Sequence, residues 1–219
     1  MICRVKNLTT THAEASSNIF DMNAPNETEV GSPHDAKNVS REKPSFFGYT
    51  LVALGLALVI RFLIAAPFIV SGSSMEHTFE NHDYLIVDRI TYRFENPVRG
   101  DVIVFGLPQE TSRDLIKRVI GLPGETVILK NASVTIINKD HPAGFLLKEP
   151  YISSGNRDEV TTETVTLGAN EYFVLGDNRH VSADSHIWGA LPRTDIIGRV
   201  FLRLYPFSQI NVTPGEARY

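Results

Sequence analysis

The chain has 219 residues, with 21 basic against 25 acidic side chains and a net charge of -4, enough for one globular domain with appendages. A nucleic-acid binder would gather basic residues on one face, and no such cluster is present. Cys3 is the only cysteine and the seven histidines show no ligand spacing, so no internal disulfide, metal or other cofactor is expected.

Residues 1–44 are rich in Ser, Thr, Asn, Glu and Pro without hydrophobic periodicity, the composition of a disordered tail. Asp21, Glu27, Glu29 and Asp35 argue against an organellar transit peptide, and Met22 offers a second start. Residues 46–60 then read FFGYTLVALGLALVI without a charge, followed by Arg61 and FLIAAPFIV. About 20 apolar residues at about 1.5 Å each cross a hydrocarbon core of about 30 Å, so residues 45–66 are read as a transmembrane anchor. Arg61 would snorkel to the interface and Pro67 would end the helix. A soluble core helix rarely lacks a polar face over such a length. A cleavable export signal would begin nearer the N-terminus and end in small residues. Lys37, Arg41 and Lys43 before the span place the N-terminus in the cytoplasm by the positive-inside rule, leaving residues 67–219 as an extracytoplasmic domain.

That domain has β texture. Apolar, β-branched runs at 84–88, 101–105, 115–121, 126–130, 133–138, 162–167, 171–176 and 198–205 alternate with turn signals such as Asn-Pro, Pro-Gly and Gly-Ala-Asn. This predicts a mainly β fold, a coiled antiparallel sheet or barrel-like body behind one N-terminal helix. Residues 139–161 read as an excursion from that sheet.

Three segments carry chemistry. In SGSSMEHTFE (71–80), a glycine among serines lets backbone N–H groups approach a reacting carbonyl, as an oxyanion hole requires. Taken alone, the same letters make an ordinary linker after a span. In DLIKRVIGLPGE (114–125), Lys117 lies among Leu115, Ile116, Val119 and Ile120. A desolvated lysine can serve as a base, since burial disfavours the ammonium; a lysine on the solvent face of an edge strand is the bland alternative. GDNRHVSADSHIWG (176–189) packs small polar groups around the only tryptophan, a density suited to a hydrogen-bonded wall.

Together these segments resemble the type I signal peptidases, the Ser–Lys proteases of bacterial plasma membranes, over roughly residues 46–207. Ser74-Met75-x-x-Thr78 is similar to the family's nucleophile box, and Arg99-Gly100-Asp101-Val102 to its next. The run from Ile116 through Glu125 corresponds to the lysine box; Gly176-Asp177-Asn178-Arg179 with Ser182, Asp184, Ser185, Trp188 and Gly189 corresponds to the last. The resemblance implies that Ser74 attacks the scissile carbonyl while neutral Lys117 takes its proton and returns it to the leaving amine. It further implies that Ser182 holds the lysine amine and that the Ser74 N–H supplies an oxyanion donor. Gly72, where some members carry a second serine donor, is typical of the Gram-positive-like branch. The implied substrates are signal peptides of exported preproteins, bound as extended strands with small residues at the cut. Implied surroundings are the lipid bilayer and transient contact with the export translocon.

Three positions depart from the pattern. His77 stands for a proline before Thr78, Phe79 for a leucine, and His186 for an arginine that partners the aspartate at Asp184. If His186 meets Asp184, that pair is fully ionic only while the ring is protonated, and an unperturbed histidine has a pKa of about 6.5. Arg99-Gly100-Asp101 is read as a turn entering a strand, not an adhesion tripeptide, and Leu191-Pro192-Arg193-Thr194 as no sorting signal. A Ser–His–Asp triad through His77 or His186 is an alternative. So are a self-cleaving Ser–Lys repressor, which would need a DNA-binding domain before the serine, and an inactive homologue that only binds export signals.

Overall fold

The computed structural model describes residues 4–7, 46–59, 64–107, 110–130, 133–153, 162–217 and 219. In chain order the elements are β1 (Arg4–Asn7), α1 (Phe46–Val59), β2 (Ala65–Ser71), β3 (Tyr84–Asp88), β4 (Val102–Leu107), β5 (Glu110–Gly121), β6 (Thr126–Lys130) and β7 (Ser133–Ile137). They continue with β8 (Phe145–Leu146), β9 (Glu163–Thr166), β10 (Glu171–Leu175), α2 (Ser185–Trp188), β11 (Leu191–Pro192), β12 (Ile196–Tyr205) and β13 (Asn211–Val212).

The main sheet runs β1-β2-β3-β12-β4-β5-β10-β11, with β13 on β12 and a further β1–β5 pairing. All its pairings are antiparallel. The result is a coiled sheet in which β2 connects to β5 through β3, β12 and β4, while β1 pairs directly with both. A smaller sheet, β8-β7-β6-β9, makes the excursion that the sequence suggested for residues 139–161, although it draws mostly on flanking strands; residues 154–161 lie outside the described ones.

Side-chain alternation explains why these runs are strands. In β3, Leu85 and Val87 are buried while Tyr84, Ile86 and Asp88 are partly exposed, the pattern of a sheet with one covered face. In β5, consecutive residues Leu115 to Ile120 are all buried, because this strand is covered on both faces. Ile116 joins a core cluster with Phe68, Val70, Phe79 and Val104. Leu115 and Val119 join another with Phe105, Tyr172 and Val174, against which Trp188 packs. Ile120 and Phe173 connect the main sheet to the small one through Val127, Val134 and Ile136.

Two expectations need correction. Pro67 does not stop a helix: α1 ends at Val59, residues 60–63 lie outside the described ones, and Ala65 already belongs to β2. An uncharged run cannot be assigned to helix or strand by periodicity alone. Among the described residues the pairing of β2 with β1 ends at Phe68, and Pro67 pairs with Ile86 of β3, an edge-like position where a missing N–H costs least. The tail, in turn, is not featureless: Arg4–Asn7 form β1, inserted between β2 and β5. The rest of residues 8–45, including the basic flank, is not among the described residues. Of α1 itself, Phe46, Phe47, Tyr49, Leu51, Val52, Leu54, Leu56 and Leu58 are all exposed. Among the described residues no helix is long and apolar enough to cross a membrane; the 14 residues of α1 span about 21 Å.

Candidate active site

β2 and β5 run side by side across the β1 slot, and their ends deliver the two residues singled out in the sequence. After Ser71 the chain turns through residues 72–79, where Phe79 N–H donates to Met75 O at 2.7 Å and Glu76 N–H to Ser73 O at 3.1 Å. Gly72 stands at φ 111°, a region that favours glycine, and its N–H donates to Asn81 Oδ1 at 3.1 Å. Met75 and Phe79 are fully buried and anchor the turn, leaving Ser74 facing inward. Lys117 lies on the face of β5 shared with Leu115 and Val119, opposite Arg118.

Ser74 and Lys117 meet: Lys117 Nζ donates to Ser74 Oγ at 2.5 Å, and both residues are 0% exposed. An amine stripped of water loses the solvation that favours its charged form, the condition a neutral lysine base requires. The solvent-exposed edge lysine is thereby ruled out, and so is the mobile linker reading of the serine segment.

The third segment closes over this pair. Asn178 N–H donates to Ser74 O at 3.0 Å. Gly176 lies so near that a Cβ there would sit 2.5 Å from Ser74 O and 2.7 Å from Ser182 Cβ. Ser182 Oγ donates to Asp184 Oδ2 at 2.5 Å, and Gly176 N–H reaches the same oxygen at 2.8 Å. His186 Nδ1 is 2.5 Å from Asp184 Oδ1, so the histidine does occupy the partner position expected of an arginine. Burial acts to raise the Asp184 pKa, but the His186, Gly176 and Ser182 hydrogen bonds and the Lys117 charge together hold it below the usual carboxylate value.

The sequence did not reveal a second buried pair, Arg118 with Asp177. Arg118 Nε donates to Asp177 Oδ1 at 2.8 Å and its NH2 to Oδ2 at 2.5 Å, with both side chains essentially unexposed. Arg118 also donates to Gly100 O at 2.9 Å and stacks 3.8 Å over the Tyr151 ring, while Thr78 Oγ1 donates to Asp177 Oδ2 at 2.5 Å. Residues of all four sequence segments are thus tied at one point. No local signal in the sequence links Arg118 to a residue 59 positions away.

The departures have local answers. His77 is exposed at φ 77°, a left-handed backbone closed to proline, whose φ is locked near about -65°; its N–H donates to Glu80 Oε1 at 3.2 Å. Phe79 fills core space and carries Arg203 over its ring at 4.9 Å. In the Arg-Gly-Asp turn, Asp101 is buried and accepts from Tyr92 Oη at 2.6 Å and from Val98 N–H at 3.0 Å, so it anchors a turn. Among the described residues no group of His, Cys, Asp and Glu could hold a metal ion.

The fold thus brings a buried serine and lysine into contact, and comparison with known proteins gives the family. The chain belongs to the signal peptidase family, peptidase S26, whose family description matches residues 45–205. Within it the relatives are bacterial type I enzymes. The chain is 40% identical over 166 residues to a probable signal peptidase I-1 of Synechocystis, covering 73% of this chain and 81% of the relative. It is 40% identical over 185 residues to signal peptidase I of Leptolyngbya laminosa, covering 80% and 87%. With signal peptidase I U of Bacillus subtilis it shares 33% identity over 177 residues, covering 74% and 90%. A crystal structure of a signal peptidase I from Enterococcus faecalis aligns at TM-score 0.41 and 32% identity, covering 48% of this chain and 97% of that one. The activity is accordingly that of signal peptidase I, a serine endopeptidase, and the repressor reading falls away.

Proposed function

We propose that this chain cleaves signal peptides from exported preproteins with Ser74 as nucleophile and Lys117 as general base. The observation that carries this is the 2.5 Å contact of two fully buried residues. Neutral Lys117 takes the Ser74 proton as Oγ attacks the scissile carbonyl, and the resulting ammonium protonates the leaving amine. The acyl-enzyme is then hydrolysed by water that the same amine deprotonates. The Ser74 N–H stabilises the oxyanion, with Gly72 leaving room beside it. Ser182, hydrogen-bonded to Asp184, keeps the lysine amine in register. The slot between β2 and β5 takes one extended segment: β1 lies there with Arg4 opposite both Ser71 and Leu115, a few residues from Ser74 and Lys117. An export signal adding as a strand would use the same backbone edges.

The exposed apolar α1 supports anchoring in the bacterial plasma membrane, with the peptidase domain on the exported side. A crossing there, with Lys37, Arg41 and Lys43 held in the cytoplasm, withdraws residues 4–7 from the slot and leaves it open to preproteins emerging from the translocon.

The dyad is tested by incubating detergent-solubilised protein with a signal-bearing preprotein. Ser74→Ala and Lys117→Ala should each lower cleavage by roughly 10⁴-fold or more, the scale seen when a serine nucleophile or its base is removed. Lys117→Arg should fail too, since arginine does not deprotonate, whereas Ser73→Ala should be mild. Substantial processing by Ser74→Ala would overturn the assignment, and an inert wild-type protein would favour the inactive homologue.

A further inference from the structure

Asp184 is shared. It is fully buried, and one carboxylate oxygen faces Ser182 Oγ and Gly176 N–H while the other faces the His186 ring. On the Ser182 side the carboxylate feels the charge of Lys117 across the site. On the other side the His186 side chain is 22% exposed, whereas Lys117 is fully buried. The other charged groups nearby have hydrogen-bonded partners of their own, although Arg179 also interacts electrostatically with Asp184. Arg179, from the one-turn helix after β10, bonds Gly176 O and Glu149, and Arg118 on β5 bonds Asp177. His180 on that one-turn helix is exposed. On β10, which packs against α2, Glu171 at the far end accepts from Gly168 N–H, and Val174 N–H donates to Ser185 Oγ at 3.0 Å.

We propose that His186 is a positioning residue whose charge sets how strongly Asp184 favours the protonated form of Lys117, so that two groups govern the acid limb of the reaction. This rests on the Ser74–Lys117 reading. A protonated ring offsets the Asp184 charge and leaves Lys117 easier to deprotonate; a neutral ring leaves the full negative charge facing the amine. Rising pH therefore acts twice in opposite senses. It removes the lysine proton, and by discharging His186 it strengthens the field that holds that proton.

The test is the pH profile of kcat/KM on a signal-bearing preprotein for wild type, His186→Arg and His186→Asn. Arginine is a permanent cation, and the asparagine amide can stand in for Nδ1 without charge. The arginine variant's acid limb should lie roughly one pH unit below that of the asparagine variant, about a tenfold difference in relative activity well below the midpoints. Wild type should join the arginine curve at its acid end and the asparagine curve at its alkaline end, giving a limb shallower than a single ionisation. Coincident limbs in an active enzyme, or a uniform loss in both variants with no displacement, would overturn the inference while leaving the dyad intact. If Ser74→Ala cleaved as well as wild type, both would fall together.

Discussion

At the scale of single residues, Gly176 is the tightest constraint on the site. It needs no unusual φ; what it provides is the absence of a side chain between Ser74 and Ser182. A methyl group there would sit 2.5 Å from Ser74 O and 2.7 Å from Ser182 Cβ, closer than packed carbon atoms tolerate. The turn carrying the nucleophile would have to yield by some tenths of an ångström, and misplacement near 1 Å costs about 100-fold in rate. Gly176→Ala is expected to lower kcat by roughly 10- to 100-fold while destabilising the fold by about 1–3 kcal/mol, as overpacking does. Kinetics set beside chemical denaturation separate the two effects, and an unchanged kcat would mean that Ser74 has slack the geometry does not show.

At the scale of elements, β5 holds the molecule together. It pairs with β4, β10 and β1, and its two faces serve different ends: Lys117 goes to the site and Arg118 to a buried lattice of Asp177, Gly100 and Tyr151. Removing one partner of such a pair strands the other as an unpaired charge, which typically costs about 3–5 kcal/mol, whereas losing both costs much less. Arg118→Ala should therefore lose about that amount in equilibrium unfolding, and Arg118→Ala with Asp177→Asn should recover part of it. A double variant no more stable than the single would place the cost in the lost Tyr151 stacking instead.

For the whole molecule the proposed membrane anchoring makes orientation the quantity to test. In intact cells or right-side-out vesicles, added protease should digest residues 84–219 and spare the tail before α1. Cleavage of the tail with the domain protected would reverse the orientation and put Ser74 where exported signals do not emerge. The same experiment decides where β1 resides, because residues 4–7 cannot lie in the slot and on the far side of the bilayer in one molecule.

The residues proposed to carry the chemistry were visible in the linear chain because their types are costly without a purpose: a lysine within an apolar strand, serines crowding a glycine, a polar run around one tryptophan. The strands were visible wherever one face is covered, as in β3, β6 and β7, since burial on alternate residues is a local property. β2 was not, because an uncharged run carries no period, and β1 was not, because four residues of mixed polarity acquire strand structure only from the two neighbours that flank them. Which groups touch was decided by tertiary structure alone. Ser74 and Lys117 are 43 positions apart, and Arg118 and Asp177 are 59 apart; the placement of β2 and β5 on either side of β1 closes the first distance, and the antiparallel return of β10 beside β5 closes the second.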